Sequence, residues 1–281
     1  MSNVSTSEPA DGGQEQAPPS RTPAAAFFDV DNTIIRGVSA YHIVRELHRR
    51  DFFSLVDIAA FAWHALGYFL VGERASQIEE VRERALGTIK GHSLAEIVAI
   101  AEEVYDEVLE TKIFPGAREI LERHLAAGDQ VWLITAGPQE IGELIARRLG
   151  ATGALGTVAE QRDGYYTGRL VGDMMHGATK ATAARAIAER EGVDLADCSA
   201  YGDSVNDIPM LSVVGHPYGI NPESRLRRHC ATVGWPVLDF RRRRASMRRT
   251  IGGTAGTAGL AWAVAITIRA VRRRIGARLV P

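Results

Sequence analysis

Phe27-Phe28-Asp29-Val30-Asp31 is the most informative stretch of this 281-residue chain, because an apolar run ends there in two carboxylates one residue apart. The residues from Ala24 onward are also apolar, which is typical of a central strand in a parallel sheet covered on both faces. Ligands of such sheets bind at the carboxyl ends of the strands. Asp29 and Asp31 are therefore predicted to lie where chemistry takes place, although a polar turn after a strand would explain the same pattern.

A second run of small and apolar residues ends in acids far downstream, at Ala200-Tyr201-Gly202-Asp203-Ser204-Val205-Asn206-Asp207. If both runs are strands of one sheet, their acids can meet at the same edge. Mg²⁺ prefers oxygen ligands and usually takes one or two carboxylates plus a substrate phosphate. Mg²⁺ is therefore the predicted cofactor, and Asp29 and Asp203 are its predicted carboxylate ligands.

Four motifs, in this order, resemble the haloacid dehalogenase-like hydrolase superfamily, in particular the subfamily IB branch that contains phosphoserine phosphatase. The first motif runs from Asp29 to Thr33, and the second is Thr135 at the end of a predicted strand, 131–134. The third is Lys180, which opens a predicted helix, and the fourth runs from Gly202 to Asp207. One aspartate pair would be weak evidence, but four spaced motifs at predicted strand and helix ends make a chance match improbable.

The resemblance implies an α/β fold, in which a Rossmann-like parallel sheet core carries an inserted helical cap. We assign the chain as follows: catalytic core, residues 24–36 and 113–240; helical cap, residues 37–112. Within the cap, S-x-x-E sequences at Ser76 and Ser93 predict helix starts with capping boxes. A lid of this kind excludes water from the reacting phosphate and selects the substrate.

The resemblance also implies a role for each candidate site residue. Asp29 is the nucleophile that forms an aspartyl-phosphate, and Asp31 is the general acid and then the general base. The other implied roles are phosphoryl orientation by Thr135 and Lys180; Mg²⁺ binding by Asp29, Asp203 and the backbone carbonyl of Asp31; substrate binding by Gly137, Arg84 and Asn206; loop order by Thr33; and support of Lys180 or a metal-bound water by Asp207.

The implied activity is Mg²⁺-dependent hydrolysis of a small organic phosphate or a lipid phosphate. Phosphoserine hydrolysis is one alternative, and a membrane-associated binding protein without turnover is an alternative of another class. The family's cap glutamate, which grips the amino group of phosphoserine, falls at Val38 here, and no acid follows before Glu46. Free phosphoserine is therefore predicted not to be the best substrate, whereas Arg84, at the family's carboxylate-binding position, favours an anionic one.

The two ends of the chain differ in composition from the core. Residues 1–23 are rich in Ser, Pro, Gly, Gln and Glu and are predicted to be a disordered tail without a signal peptide. Residues 241–281 contain arginines and no acid, around an uncharged run from Ile251 to Ile268. That run predicts a C-terminal apolar helix that crosses a membrane, lies on it or pairs through its small residues.

A further apolar segment, from Phe52 to Val71, lies inside the predicted cap. Asp57 and His64 argue against a spanning helix there, since a charge near the bilayer centre is costly. A buried cap helix or a face towards lipid is favoured. We predict a cytoplasmic protein with residues 241–281 as its attachment to the inner face of the membrane. Its predicted partners are a phosphate ester and an anionic membrane surface, with no nucleic acid.

Overall fold

The computed structural model describes residues 24–50, 87 and 89–241. Five predictions fall outside these residues and stay predictions. They concern the tail at 1–23, the capping box at Ser76, the apolar segment from Phe52 to Val71, the substrate contact of Arg84, and the C-terminal tail with its apolar helix at 251–268.

Eight strands are present in the described residues: Ala25–Phe28 (β1), Gln130–Pro138 (β2), Gly153–Thr157 (β3), Ala159–Arg162 (β4), Tyr165–Leu170 (β5), Ser199–Gly202 (β6), His216–Ile220 (β7) and Val237–Leu238 (β8). Six of them form a parallel sheet in the order β3-β2-β1-β6-β7-β8, while β4 and β5 form a separate hairpin. All residues of β1 are buried, which confirms the prediction of a central strand. The fold is the α/β, Rossmann-like fold that the sequence predicts.

The strand order brings the two acidic motifs together. The chain places β2 and β3 on one side of β1, and then β6, β7 and β8 on the other side. Ligands of open parallel sheets bind at such a reversal of strand order. Phe28, the last residue of β1, pairs with Tyr201 of β6, so the two strands end at the same level. Asp29 and Asp203 therefore follow neighbouring strands at one edge of the sheet.

The helices of the described residues are Ser39–Arg49 (α1), Leu94–Val104 (α2), Pro115–Ala126 (α3), Gln139–Leu149 (α4), Ala178–Glu191 (α5), Ile208–Leu211 (α6) and Ser224–Val233 (α7). Helices α1 to α4 pack in one hydrophobic cluster with Phe28, and α5 to α7 pack in a second cluster with Phe27. Neighbouring residues of β1 thus point into two different cores. This explains why the strand is apolar at consecutive positions.

Two element boundaries predicted at the motifs differ from the observed ones. Helix α5 begins at Ala178, so Lys180 lies inside its first turn instead of opening it. Strand β2 continues past Ile134 to Pro138, but its pairing with β3 shifts register after Ile134. Thr135 therefore follows the regular part of β2, although it does not end the strand.

The capping box predicted at Ser93 does not form. Ser93 is the N-cap of α2, but its side chain makes no capping hydrogen bond. The amide of Leu94, the first residue of α2, donates to the carbonyl of Gly164, 2.9 Å away, in the turn of the β4–β5 hairpin. Asp163 and Gly164 both have positive φ angles, 53° and 81°, as is typical of an Asp-Gly hairpin turn. The start of α2 is therefore joined to the hairpin by a tertiary contact.

The described parts of the predicted cap are helical. Helix α1 is followed, after residues outside the description, by α2, which continues through a π-helical turn at Tyr105–Leu109 and a 3₁₀ turn at Glu110–Lys112. Both helices contribute buried residues to the hydrophobic cluster that contains Phe28. The assignment of residues 37–112 as a lid stays a prediction. Among the residues described, no helix is both long and apolar enough to span a membrane.

Gly215, just before β7, offers a test of the packing at the amino ends of the strands. A Cβ at this position would lie 1.8 Å from the backbone oxygen of Ala196. Because backbone cannot move aside as a side chain can, Gly215→Ala should destabilise the fold by about 1–3 kcal/mol. Thermal unfolding measures the loss, and Gly87→Ala, whose Cβ would meet nothing within 4 Å, should cause none.

Candidate active site

The ammonium group of Lys180 lies between two buried carboxylates. Its Nζ is 2.5 Å from Oδ1 of Asp29 and 2.7 Å from Oδ1 of Asp207. Burial disfavours a charged ammonium, but the two carboxylates outweigh this effect and raise the pKa of Lys180 above its usual range. Lys180 is therefore a fixed positive charge at the carboxyl end of the sheet.

Asp29 is held in the same crevice, directly after β1. Its amide donates to the carbonyl of Tyr201, 2.9 Å away, which ties the Asp29 loop to the end of β6. Burial raises the pKa of Asp29 to about 7. The positive charge of Lys180 acts to lower this pKa, but the negative charges of Asp207 and Asp31 partly offset that effect. The carboxylate predicted to be the nucleophile is thus poorly hydrated and close to a cation.

Asp207 organises the loop that carries Asp203. Its Oδ2 accepts hydrogen bonds from the amide of Asp203 at 3.1 Å, the amide of Ser204 at 3.0 Å and the hydroxyl of Ser204 at 3.0 Å. Gly202 permits this approach, because a Cβ there would lie 2.5 Å from Cβ of Asp207. Of the two supports predicted for Asp207, the contact with Lys180 is the one that the structure contains.

Three carboxylates at this edge suit a hard cation. Oxygen atoms of Asp29, Asp203 and Asp207 lie within 4.8 Å of one another. Both oxygens of Asp207 already accept hydrogen bonds, Oδ1 from Lys180 and Oδ2 from the Asp203 loop. The donor set therefore fits Mg²⁺ through Asp29 and Asp203, the two carboxylates chosen from the sequence. The predicted carbonyl ligand at Asp31 stays a prediction.

The side chain of Asp31 lies outside this acidic group. Its Oδ1 accepts a hydrogen bond from the amide of Ser39, 2.8 Å away, at the first residue of α1. Burial raises the pKa of Asp31, although the hydrogen bonds from Ser39 lower it in part. Asp29 and Asp31 therefore have different surroundings, as separate roles for two carboxylates require.

Thr135 and Gly137 lie close together near the end of β2, and Thr135 is buried. The amide of Gly137 donates to Oγ1 of Thr135 at 3.1 Å, and the predicted contact of Gly137 with substrate stays a prediction. The hydrogen bond is local, because a threonine hydroxyl readily accepts from the amide two residues onward. The hydroxyl and the amide of this turn are therefore paired with each other.

Thr33 and Asn206 lie in the two loops that carry Asp29 and Asp203. The hydroxyl of Thr33 is buried and has no hydrogen-bond partner in the described part of the chain. Backbone bonds order the loop instead, since the amides of Ile34 and Ile35 both donate to the carbonyl of Val30 at 2.9 Å. Asn206 lies in a 3₁₀ turn, Val205–Asp207, and its contact with substrate stays a prediction.

Sequence reasoning missed two residues that hold the acidic loops. Nδ2 of Asn221 donates to the carbonyl of Asn32 at 3.3 Å, and the amide of Glu223 donates to the carbonyl of Asp203 at 2.8 Å. A signal was present, because polar residues follow the apolar end of β7 just as acids follow β1 and β6. The residue types, however, carry no catalytic signature.

The loops after the neighbouring strands β1 and β6 present a buried carboxylate and a second carboxylate suited to Mg²⁺, and the first turn of α5 places a fixed ammonium beside the first. This is the arrangement of an α/β phosphoryl-transfer hydrolase. The family profile for haloacid dehalogenase-like hydrolases matches residues 26–212, and the chain belongs to this family.

Individual relatives support this membership. A Mycobacterium tuberculosis (strain ATCC 25618 / H37Rv) protein named phosphoserine phosphatase SerB1 is 50% identical over 237 residues, which cover 84% of this chain and 77% of that protein. A crystal structure from Bordetella pertussis Tohama I, of a protein with unknown function, matches with a TM-score of 0.70 and 31% identity, over 78% of this chain and 100% of that one. A phospho-aspartyl intermediate analogue of phosphoserine phosphatase shares the fold, with a TM-score of 0.57 at 19% identity, over 83% of this chain and 100% of that one.

The raised pKa of Asp29 predicts a pH-dependent stability in the absence of divalent cations. The folded protein keeps the Asp29 proton up to about pH 7, whereas the unfolded chain releases it near the ordinary value of 3.8. The folded state therefore binds more protons between these values, and its stability falls as the pH rises through that window. Asp29→Asn removes this titrating carboxyl group and with it the loss of stability. The melting temperature of Asp29→Asn minus that of wild type should therefore increase from pH 5 to pH 8 in EDTA. A constant difference would contradict the assignment.

Proposed function

We propose that the protein is a Mg²⁺-dependent phosphomonoester hydrolase that works through an aspartyl-phosphate on Asp29. The observation that carries this proposal is the position of the Lys180 ammonium. It donates hydrogen bonds to Asp29 at 2.5 Å and to Asp207 at 2.7 Å. A fixed cation beside a buried carboxylate suits the charge that develops on a phosphoryl group during transfer. Membership of a hydrolase family supports the same conclusion.

The reaction divides into two displacements. In the first, a carboxylate oxygen of Asp29 attacks phosphorus while the bond from phosphorus to the leaving oxygen breaks, and Asp31 gives its proton to that oxygen. In the second, Asp31 takes a proton from water, whose oxygen attacks phosphorus and releases phosphate from Asp29. Lys180 and Thr135 orient the phosphoryl oxygens. Bound to Asp29 and Asp203, Mg²⁺ would supply further charge neutralisation at the phosphate.

The proposed role of Asp29 predicts the effect of one substitution. Asp29→Asn keeps the shape of the side chain but removes the nucleophile, so kcat for p-nitrophenyl phosphate with Mg²⁺ should fall at least about 10³-fold. Mg²⁺ with beryllium fluoride should raise the melting temperature of wild type but not of the variant.

Asp163→Asn is the matched control, because Asp163 is exposed in a hairpin turn that asparagine also tolerates. It should keep wild-type activity. Residual activity of Asp29→Asn within about tenfold of wild type would exclude the covalent role. A wild-type protein without any Mg²⁺-dependent phosphate release would favour the alternative, a binding protein that keeps the fold without turnover.

The substrate is proposed to be a phosphate ester other than free phosphoserine, with phosphoserine as the alternative that the name of SerB1 supports. Val38 lies at the position where the family carries its ammonium-binding glutamate, and it is 48% exposed. It is next to Ser39, whose amide donates a hydrogen bond to Asp31. Glu46, the first acid after this position, is paired with Arg49 and Arg50. A buried ammonium without a carboxylate partner is strongly disfavoured.

Val38→Glu tests this choice of substrate. The variant should raise the ratio of kcat/KM for phosphoserine to kcat/KM for p-nitrophenyl phosphate, because it adds a carboxylate where the ammonium of phosphoserine would lie. Val38→Gln is the matched control, since it has the same length without the charge. A wild-type preference for phosphoserine over a panel of small and lipid phosphate esters would overturn the proposal.

The membrane surface is proposed as the place of action, on the cytoplasmic side. The proposal is supported by the sequence of the apolar segment at 52–71 and of the arginine-rich tail at 241–281. Each arginine near an anionic leaflet contributes on the order of 1 kcal/mol, and an apolar helix face adds to the binding. A lipid phosphate is then a reasonable substrate.

Vesicle flotation at low salt tests the membrane proposal. Full-length protein should float with vesicles of phosphatidylserine and phosphatidylcholine, and a chain ending at Phe240 should float less, since it lacks the arginines of the tail. Vesicles of phosphatidylcholine alone are the control. Full-length protein that stays unbound on the anionic vesicles would refute the proposal, and equal flotation of both chains would move the attachment to residues 52–71.

A further inference from the structure

We propose that the loop Asn221-Pro222-Glu223 is a positioning element, which holds the Asp29 loop and the Asp203 loop at the spacing that the reaction needs. This inference rests on the proposed function. The loop follows β7, one strand beyond β6 in the sheet. It contributes no group to the reacting atoms, so Asn221 and Glu223 would act through the residues that they hold.

Asn221 connects the Asp29 loop to the far edge of the sheet. Its side chain donates to the carbonyl of Asn32 at 3.3 Å and accepts from the amide of Phe240 at 2.7 Å, while its own amide donates to Leu238 at 2.8 Å. The residue is fully buried and has a φ of 46°, in the left-handed region that asparagine tolerates better than most residues. Asn32, the residue that it holds, directly follows Asp31.

Glu223 holds the other loop through two contacts. Its amide donates to the carbonyl of Asp203 at 2.8 Å, and its Oε1 accepts from the amide of Val205 at 3.1 Å. These bonds lie on either side of Ser204, whose amide and hydroxyl are held by Asp207. The Asp203 loop is therefore held from two sides, by Asp207 within the loop and by Glu223 from outside it.

Pro222 joins the two contacts and limits the freedom between them. Its ring fixes φ near −65°, and the residue is buried. The carbonyl of Asn32 and the carbonyl of Asp203 are thus tied to residues only two positions apart. Because phosphoryl transfer depends on positioning, a small change in this spacing should alter the rate before it alters the fold.

The test uses full-length protein and three variants of the loop. Asn221→Asp keeps the acceptor for Phe240 and the tolerance for a positive φ, but replaces the donor to Asn32. Glu223→Ala removes the acceptor for Val205, and Glu223→Gln restores a carbonyl oxygen there. Asp129→Asn is the matched control. It also exchanges a buried carboxylate for an amide, but at a different hydrogen bond, the one of 2.7 Å between Oδ2 of Asp129 and Nδ1 of His124.

Kinetics with p-nitrophenyl phosphate separates positioning from stability. Asn221→Asp should lower kcat about tenfold with KM within about twofold of wild type, because ground-state binding is unchanged. Glu223→Ala should raise the Mg²⁺ concentration for half-maximal activity about fivefold, and Glu223→Gln should return it to within about twofold of wild type. Asp129→Asn should lower only the melting temperature.

Three kinetic results would overturn the inference. They are loop variants with wild-type kcat and Mg²⁺ dependence, a Glu223→Gln variant no better than Glu223→Ala, and the same kinetic changes in Asp129→Asn. Amide hydrogen exchange is the readout that does not need activity. Deuterium uptake should increase in residues 29–37 for Asn221→Asp and in residues 203–207 for Glu223→Ala, and unchanged uptake would also overturn it. Wild-type protein that releases no phosphate would refute the proposed function, while the exchange data would still decide whether the loop holds these segments.

Discussion

Without the buried ammonium of Lys180, the carboxylates of Asp29 and Asp207 would face each other in a crevice that water barely reaches. Breaking a buried ion pair by removing one partner typically costs 3–5 kcal/mol, because the remaining charge is left uncompensated. Much of the local structure serves this contact. Helix α5 carries Lys180 to the sheet edge, Gly202 allows Asp207 to approach, and the bond from Asp29 to Tyr201 brings β1 and β6 to the same level.

The parts of the site that the sequence predicted are those where residue type and local position decide the outcome. A fully apolar β1 must be central, because Phe27 and Phe28 enter two different cores, and acids after parallel strands must share an edge. The contacts that it could not predict are decided by distant segments. Asn221 reaches Asn32 across 189 positions of the chain, and the amide of Leu94 donates to Gly164 of the β4–β5 hairpin, a contact that no local pattern around Ser93 indicates.

Asp29 and Asp31 show how one short loop can give two carboxylates different chemistry. Asp29 faces Lys180 and the other acids, whereas Asp31 faces the backbone of Ser39. Burial raises the pKa of both carboxyls. For Asp29 the positive charge of Lys180 opposes this rise, whereas for Asp31 the backbone and side-chain hydrogen bonds from Ser39 oppose it. The difference comes from the turn between them, where Val30 accepts two backbone amides and Asn32 takes a positive φ of 60°.

The β4–β5 hairpin gives residues 37–112 a contact with the core that lies away from the two points where the chain enters and leaves this segment. Gly91, His92 and Leu94 are joined to the hairpin by three backbone hydrogen bonds, two of them with Tyr166 and one with Gly164. The entry point, at Gly37 and Ser39, is joined to the Asp29 loop through the side chains of Asn32 and Asp31. Entry and exit are also joined to each other, since the amide of Arg36 donates to the carbonyl of Lys112 at 2.9 Å. A displacement of residues 37–112 would therefore reach Asp31 through the amide of Ser39, and the hairpin through the backbone of residues 91–94.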